Sequence, residues 1–340
     1  MQSLSRQDFE ARLERQTRNV SPEEVEGWIE SAVDGGVAPD LARAVGEQVW
    51  SLYLACEGVA RQGQGSSIGR DAGIALAAVL LTTAGAVGIL FEGLAIWAAG
   101  IEAVLGLLTA GLILWRWFRD SRVVWISARY LAEHARATAY ASLGGVSCKP
   151  LVQGALRALP AEKDAALWLR GILEQRLAHV SGYLAQAGPP HSTGGAVSRY
   201  LGDRWLKDQE DWHLANHRRK RLHGRGASVV GLVALTAVAC IAVVQAAIQL
   251  NTGSRGLAPW GPLASVVLPG AASAAFLLGA QYELSRVAGR SLHMHRQWKR
   301  QRKALETAKD DATRSAVLTE AARSALLENY EWSVLLGTAE

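Results

Sequence analysis

Along the chain, polar and apolar positions follow two regimes. In one, charged residues recur every three or four positions and the apolar residues between them share a helical face. In the other, charge disappears. Residues 72–91, 227–250 and 256–282 hold no Asp, Glu, Lys or Arg, and residues 93–115 hold a single acid, Glu102. A helix needs about 20 apolar residues to cross a bilayer core of roughly 30 Å, so all four stretches are long enough. Buried helices of soluble proteins rarely run so far without a polar face. Strand signals are nearly absent. The pattern predicts an all-α integral membrane protein with two transmembrane helical hairpins, four spans in all, and a cytoplasmic helical bundle. The expected division is N-terminal helices over 1–65, a first hairpin over 70–118, a cytoplasmic helical region over 119–225, a second hairpin over 226–283 and C-terminal helices over 284–340.

Local signals set the expected boundaries. "SPEEVEGWIESAVDGG" opens with Ser21 as N-cap, Pro22 at the first helical position and Glu24 completing a capping box, and Gly35–Gly36 closes it. A second helix is expected from Asp40 to about Arg61, with "QGQGSS" breaking it before the first span. The first hairpin turns near Glu92–Gly93. A helix from Asp120 to about Leu143 ends at Gly144–Gly145, and Pro150 and Pro160 interrupt the stretch beyond it. A helix around 161–185 leads to the linker "AGPPHSTGG", and the stretch "DRWLKDQEDWHLANHRRKRLHGRG" then begins a further helix. Long helices are expected over 284–310 and on to Leu336. The order of cytoplasmic helix, hairpin and cytoplasmic helix thus occurs twice, which suggests a duplication.

Charge gives the orientation. The chain has 340 residues, 49% hydrophobic and only 20% charged, with a formal net charge of +5. Its distribution matters more than its total. Arg61 and Arg70 precede the first span, and Arg116, Arg119 and Arg122 follow the second. The collar Arg218, Arg219, Lys220, Arg221 and Arg225 precedes the third, and Arg286, Arg290, Arg296, Lys299 and Arg300 follow the fourth. The two remaining connections offer only Arg255. By the positive-inside rule both termini and the central region are expected in the cytoplasm, with two short hairpin tips outside. The collar anchors the third span at the anionic inner leaflet. Nucleic acid is not the expected partner, because no stacking aromatics interleave the basic run after Trp212 and lipid headgroups would compete for it. The N-terminus lacks the apolar core of a signal peptide. Cys56, Cys148 and Cys240 are far apart and read as reduced thiols.

Several residues carry candidate chemistry. Glu102 falls near the centre of the second span, where a carboxylate is costly and by default suggests an ion path. The alternatives are a later outer turn that leaves it at the interface, or a protonated carboxyl bonded to a neighbouring helix. Gln245 and Gln249 share a face of the third span, as polar contacts between helices or along that path. Pro269–Gly270 in the fourth span is a candidate hinge or a static kink. Pairs such as Gly73 and Ala77 allow close helix packing, within one subunit or between copies.

On the cytoplasmic side Trp125, Arg129, Glu133 and Arg136 form one helical stripe. Trp205, Asp208, Trp212 and Asn216 form another, with Gln209 and His213 beside it. Both read as faces that couple helices or sense a ligand. His213 and His217, with Glu210 one turn before, have the spacing of metal ligands, but no third His or Cys is near and basic residues crowd them. No metal, cofactor or catalytic grouping is expected, and the chain reads as non-enzymatic.

The stretches "WISARYLAEHAR", "WLKDQEDWHLANHRRKR" and "LLENYEWSVLL" resemble those of the SLATT domains, bacterial membrane effectors associated with SMODS nucleotidyltransferases and SLOG ligand-sensing domains. The resemblance is to the four-span variant and covers roughly residues 40–338. Trp212 stands where these proteins often have Tyr before the His. The resemblance implies an oligomeric module that forms a pore in the inner membrane during antiviral (anti-phage) defence, when a sensor protein or a nucleotide ligand triggers it. A constitutive ion channel or transporter, or a scaffold that tethers a partner to the membrane, are the alternative functions.

Overall fold

The computed structural model describes residues 2–90, 95–118, 121–146, 194–252, 267–274 and 284–337, with scattered residues of 171–180 and residue 264. Every regular element among them is helical. In chain order these are α1 (Gln2–Asn19), α2 (Pro22–Asp34), α3 (Pro39–Val45), a π-helical turn π1 (Gly46–Trp50), α4 (Ser51–Leu90), α5 (Ala95–Phe118), α6 (Ser121–Leu143), α7 (Gly195–Leu201), a second π turn π2 (Gly202–Leu206), α8 (Lys207–Thr252), α9 (Leu284–Thr307) and α10 (Asp311–Gly337). The expected turn at Glu92–Gly93, Cys148, most of the helix around 161–185 (its scattered described residues are helical), most of the 187–195 linker and the tip at Arg255 lie outside the described residues.

The boundaries follow from local chemistry. Ser21 caps α2: its hydroxyl accepts from the Glu24 N–H at 3.3 Å. The same hydroxyl donates to the Glu23 carboxylate at 2.5 Å. Gly36 (φ 90°) and Gly145 (φ 71°) hold the left-handed conformation that ends α2 and α6. The expected break at "QGQGSS" does not occur, since α4 runs unbroken from Ser51 to Leu90. Glycine is unfavourable in a helix, but a Cβ at Gly63 would lie 2.5 Å from the Trp125 Cβ. Close packing against α6, and not chain reversal, accounts for that glycine.

The chain divides into two units. The first comprises residues 1–65, 120–213 and 294–340. Its centre is α6, which packs along α10 and against α1, α3 and π1. Nearly all of α6 from Ala128 onward is buried, with alanines on most faces so that neighbouring helices approach closely. A run of aromatic rings threads this core. Trp28 stacks on Trp50 at 4.7 Å, Trp50 meets Tyr140 edge-on at 5.6 Å, Tyr140 stacks on Trp205 at 5.7 Å, and Trp205 reaches Trp298 at 6.0 Å. Trp50 and Trp205 come from π1 and π2, so each π turn brings one ring to the same tyrosine.

The π turns also expose a repeat. A seven-residue helix, a five-residue π turn opening on glycine and a long α-helix occur as α3–π1–α4 and again as α7–π2–α8.

The second unit comprises residues 66–119 and 214–293. Among the described residues one helical run, Gly195–Ile241, is long and apolar enough to cross a membrane, and a shorter apolar stretch, Gly73–Ala84, lies on α4. Large apolar side chains stand exposed along this unit: Leu76 on α4, Trp97, Ile101, Val104 and Leu107 on α5, and Val229, Leu232, Val233 and Leu250 on α8. Leu107 is 75% exposed and Leu250 86%. Within the unit α8 and α9 are joined by Asn216 Nδ2 donating to Ser291 Oγ at 2.8 Å and by His217 Nδ1 at 2.7 Å from the Ala288 carbonyl.

Candidate functional site

The stripe expected on α6 carries a ladder of ion pairs, and it lies inside the protein. Arg129, Glu133 and Arg136 are spaced by four and three, so their side chains overlap along one face. Arg129 reaches Glu133 Oε1 at 2.5 Å, and Arg136 pairs with the other oxygen of the same carboxylate. Glu133 is 9% exposed. A second helix closes the group: Glu57 of α4 accepts from Arg129 at 2.6 Å and from Arg61 at 2.9 Å. Two aromatic rings cover the guanidiniums, with Arg129 6.0 Å from the Trp212 ring and Arg136 5.9 Å from the Tyr53 ring.

α8 and α10 complete it. His213 is buried, its Nε2 3.1 Å from Glu328 Oε2. The ring nitrogen is not aligned for a hydrogen bond with that oxygen. Four helices thus contribute three carboxylates, two guanidiniums and an imidazole to one buried group. Burial pushes the Glu133 carboxyl up, but Arg129, Arg136 and His213 outweigh it and hold the group below the usual carboxylate range. Burial works against the Arg129 charge too, and Glu133 and Glu57 reverse it, so the guanidinium is held more firmly protonated than in water. The Tyr53 phenol is pushed up, mainly by burial.

One turn along α8, buried Glu210 accepts from Arg302 Nε at 2.9 Å, and its backbone carbonyl lies 3.0 Å from His295 Nδ1. Ser324 of α10 accepts from Gln297 and Gln301 of α9 at 2.7 and 2.8 Å. Glu210, His213 and His217 each turn to a different partner. Among the described residues no group of three or more His, Cys, Asp or Glu side chains is placed to hold a metal ion.

The structure therefore gathers Arg129, Glu133, Arg136, Trp212 and His213 into one group, with Trp125 one turn away against Gly63. It does not gather the rest. Asp208 is exposed, Gln209 is buried, and Asn216 bonds Ser291 in the second unit. The inward stripe of α8 is Trp205, Gln209, His213 and Asn216, whereas Asp208 and Trp212 are exposed. The expected stripe joined Trp205 and Asn216 to Asp208 and Trp212, whereas burial joins them to Gln209 and His213. Glu57, Tyr53 and Glu328 were not anticipated. The signal for Glu57 was an acid set among Leu52, Ala55, Cys56, Val59 and Ala60, all buried on α4.

In the second unit the backbones of Glu102 on α5 and of Gln245 and Gln249 on α8 are helical, while their side chains lie outside the described set. Residues 267–274 are helical through Pro269 and Gly270, both half-buried. Arg218, Arg219 and Arg221 are exposed on α8. The Lys220 amine is pushed below its usual value by burial and by Arg219. No family model, curated protein or solved structure matches the chain.

Proposed function

We propose that the chain is a four-span inner-membrane protein of the SLATT type, with both termini cytoplasmic, whose oligomer opens a pore when a ligand or partner engages its cytoplasmic helices. The observation that carries this reading is the exposed apolar surface of the second unit. α5 has 24 residues, about 36 Å at 1.5 Å per residue, against a bilayer core of roughly 30 Å. Trp97, Ile101, Val104 and Leu108 recur along one of its faces, all more than half exposed. Leaving such side chains in water forgoes about 1.5–3 kcal/mol each, and lipid removes that cost. The repeat of helix, π turn and long helix supports a second hairpin equivalent to the first.

The gating part of the proposal rests on continuity. Glu57 lies on α4 and His213 on α8, and each helix continues without interruption into an apolar stretch. A ligand that separates Arg129 from Glu57 acts on the base of one span. A ligand that draws His213 away from Glu328 acts on the base of another. Either shifts the population toward an open arrangement if it binds that arrangement better.

The test is dye release from liposomes and single-channel conductance with the full chain. Oligomers of the wild type are expected to leak and Glu102→Ala to alter the conductance. Vesicles that stay sealed at every protein density, including chemically cross-linked oligomers, would overturn the pore. Steady flux with no growth arrest on overexpression would indicate a constitutive transporter instead, and a dispensable Glu102 beside full partner binding would indicate a scaffold.

A further inference from the structure

Two helices of the first unit expose faces of opposite charge. α2 turns Trp28, Ile29 and Ala32 into the core, so helical spacing sends Glu23, Gly27, Glu30 and Asp34 outward, and all four are exposed. Residues 19–42 hold six acids and no Lys or Arg, so α2 has no base of its own to screen this face. α9 buries Met294, Trp298, Gln301 and Leu305, which sends Arg296, Arg300 and Lys303 outward with Lys299 beside them, all exposed. The one acid of α9, Glu306, pairs with Arg302 at 2.7 Å. Among the described residues the four cations form no ion pair, and neither do Glu30 and Asp34. Neighbouring elements do not neutralise the faces. Beside α2, Arg43 pairs with Glu26 at 3.3 Å, and Arg204, one turn beyond the Tyr200 that lies against Gly35, forms no ion pair with α2. Beside α9, Glu210 takes Arg302, Glu320 takes Arg323 and Glu328 faces His213, while Asp203 and Asp211 form no ion pair with α9.

The two faces match in spacing. Glu23 and Glu30 are seven residues apart, as are Arg296 and Lys303, about 10.5 Å along either helix. Between the two acids lies Gly27, where a Cβ would meet nothing within 4 Å; Gly35, Gly46 and Gly63 each have a side chain at 2.5 Å or less. Nothing within the protomer accounts for a residue so unfavourable in a helix, whereas a second helix laid across the acidic stripe would approach most closely there. The acidic and basic helices also stand at the two ends of the ring run, which begins at Trp28 and finishes at Trp298. We infer that the α2 face of one copy docks on the α9 face of the next. The contact is head to tail, so each added copy leaves one acidic and one basic face free until the assembly closes on itself. A nucleic acid would satisfy α9 and leave the acids and Gly27 of α2 without a role. The inference rests on the proposed function for the existence of an oligomer and assigns it a contact outside the apolar stretches.

Mass photometry of the full chain in an uncharged detergent, at low ionic strength, tests the contact. Wild type is expected to associate, and added salt to weaken the association. Glu30→Lys and Arg300→Glu are each expected to lower the association constant about tenfold. An equal mixture of the two variants should recover it, because the reversed face of each meets the reversed face of the other and the unchanged faces still match. Gly27→Leu is expected to keep the helix and weaken the association. Should a variant fail to fold, Asp34→Lys and Arg296→Glu form a second pair on the same faces. Unchanged association in Glu30→Lys or Arg300→Glu overturns the inference, as would be seen if the apolar stretches alone held the oligomer. So does a loss in both that the mixture does not recover, which would assign the two faces to other partners. A wild type that stays monomeric at every concentration contradicts the oligomer of the proposed function itself, a separate outcome.

Discussion

His134 sits at the centre of the first unit in a setting that fixes its protonation. It is 1% exposed, its ring lies 4.0 Å from that of Tyr130, and its Nδ1 is 2.9 Å from the Tyr130 carbonyl. That carbonyl only accepts, so Nδ1 carries the hydrogen. Nε2 is then a buried lone pair with no hydrogen-bond partner. Adding a proton there would place a cation in an apolar site. Burial lowers the ring pKa to about 4, against smaller upward pulls from the Tyr130 carbonyl and the Glu133 charge.

In the unfolded chain the ring titrates near 6.5. Between about 6.5 and 4 the unfolded state therefore binds more protons, and stability falls as pH drops through that window. A difference of about 2.5 units at 1.36 kcal/mol each gives a loss of about 3 kcal/mol. Denaturant unfolding of the detergent-solubilised protein, followed by near-ultraviolet circular dichroism from pH 7 to 4, should show this loss in wild type. In His134→Gln it should be smaller by that amount, whatever the variant does to stability at pH 7. An identical pH slope in the two proteins, or a His134 ring that titrates near 6.5 by NMR, refutes the argument.

Glu133→Gln removes the carboxylate that Arg129 and Arg136 share; a broken buried pair costs about 3–5 kcal/mol. Arg129 keeps Glu57, and the two guanidiniums are 35% and 21% exposed, so a loss of about 2 kcal/mol in unfolding free energy is expected. Glu133 titrates below the usual carboxylate range, so its contribution is complete above about pH 4.3 and fades as pH falls below that; the variant should lack this acid limb. Trp205→Ala opens a cavity between Tyr140 and Trp298 and should cost about 3–5 kcal/mol by the same assay; a smaller change than 1 kcal/mol would contradict the ring stack as a core element. Gly63→Ala forces a methyl against the Trp125 Cβ and should destabilise by about 1–3 kcal/mol, where an exposed helical glycine would gain from alanine; a stabilised variant would show that α4 and α6 are not so close.

The sequence made the helical class plain because its signals are local. Ser21, Pro22 and Gly36 bound α2 through contacts within a few residues, and four long apolar stretches, three of them without a charge, need no partner to be recognised. The features it hid depend on distant partners. "QGQGSS" reads as a break until Trp125, 62 residues on, is seen to demand a residue without a side chain at Gly63. Glu57 reads as a surface acid until Arg129 meets it. On α8 His213 turns inward beside Glu328 while the aromatic Trp212 is exposed, because the partner at that position is a carboxylate. The α6 stripe was legible, since its members are mutual partners at three- and four-residue spacing, yet its burial was not.

The account stands on lipid covering the exposed apolar faces of α5 and α8. Washing membranes from expressing cells in alkaline carbonate measures this directly, since the treatment strips peripheral proteins and leaves spanning helices in place. The account predicts that the full chain sediments with the bilayer. Recovery of the chain in the supernatant, folded and without detergent, would contradict it.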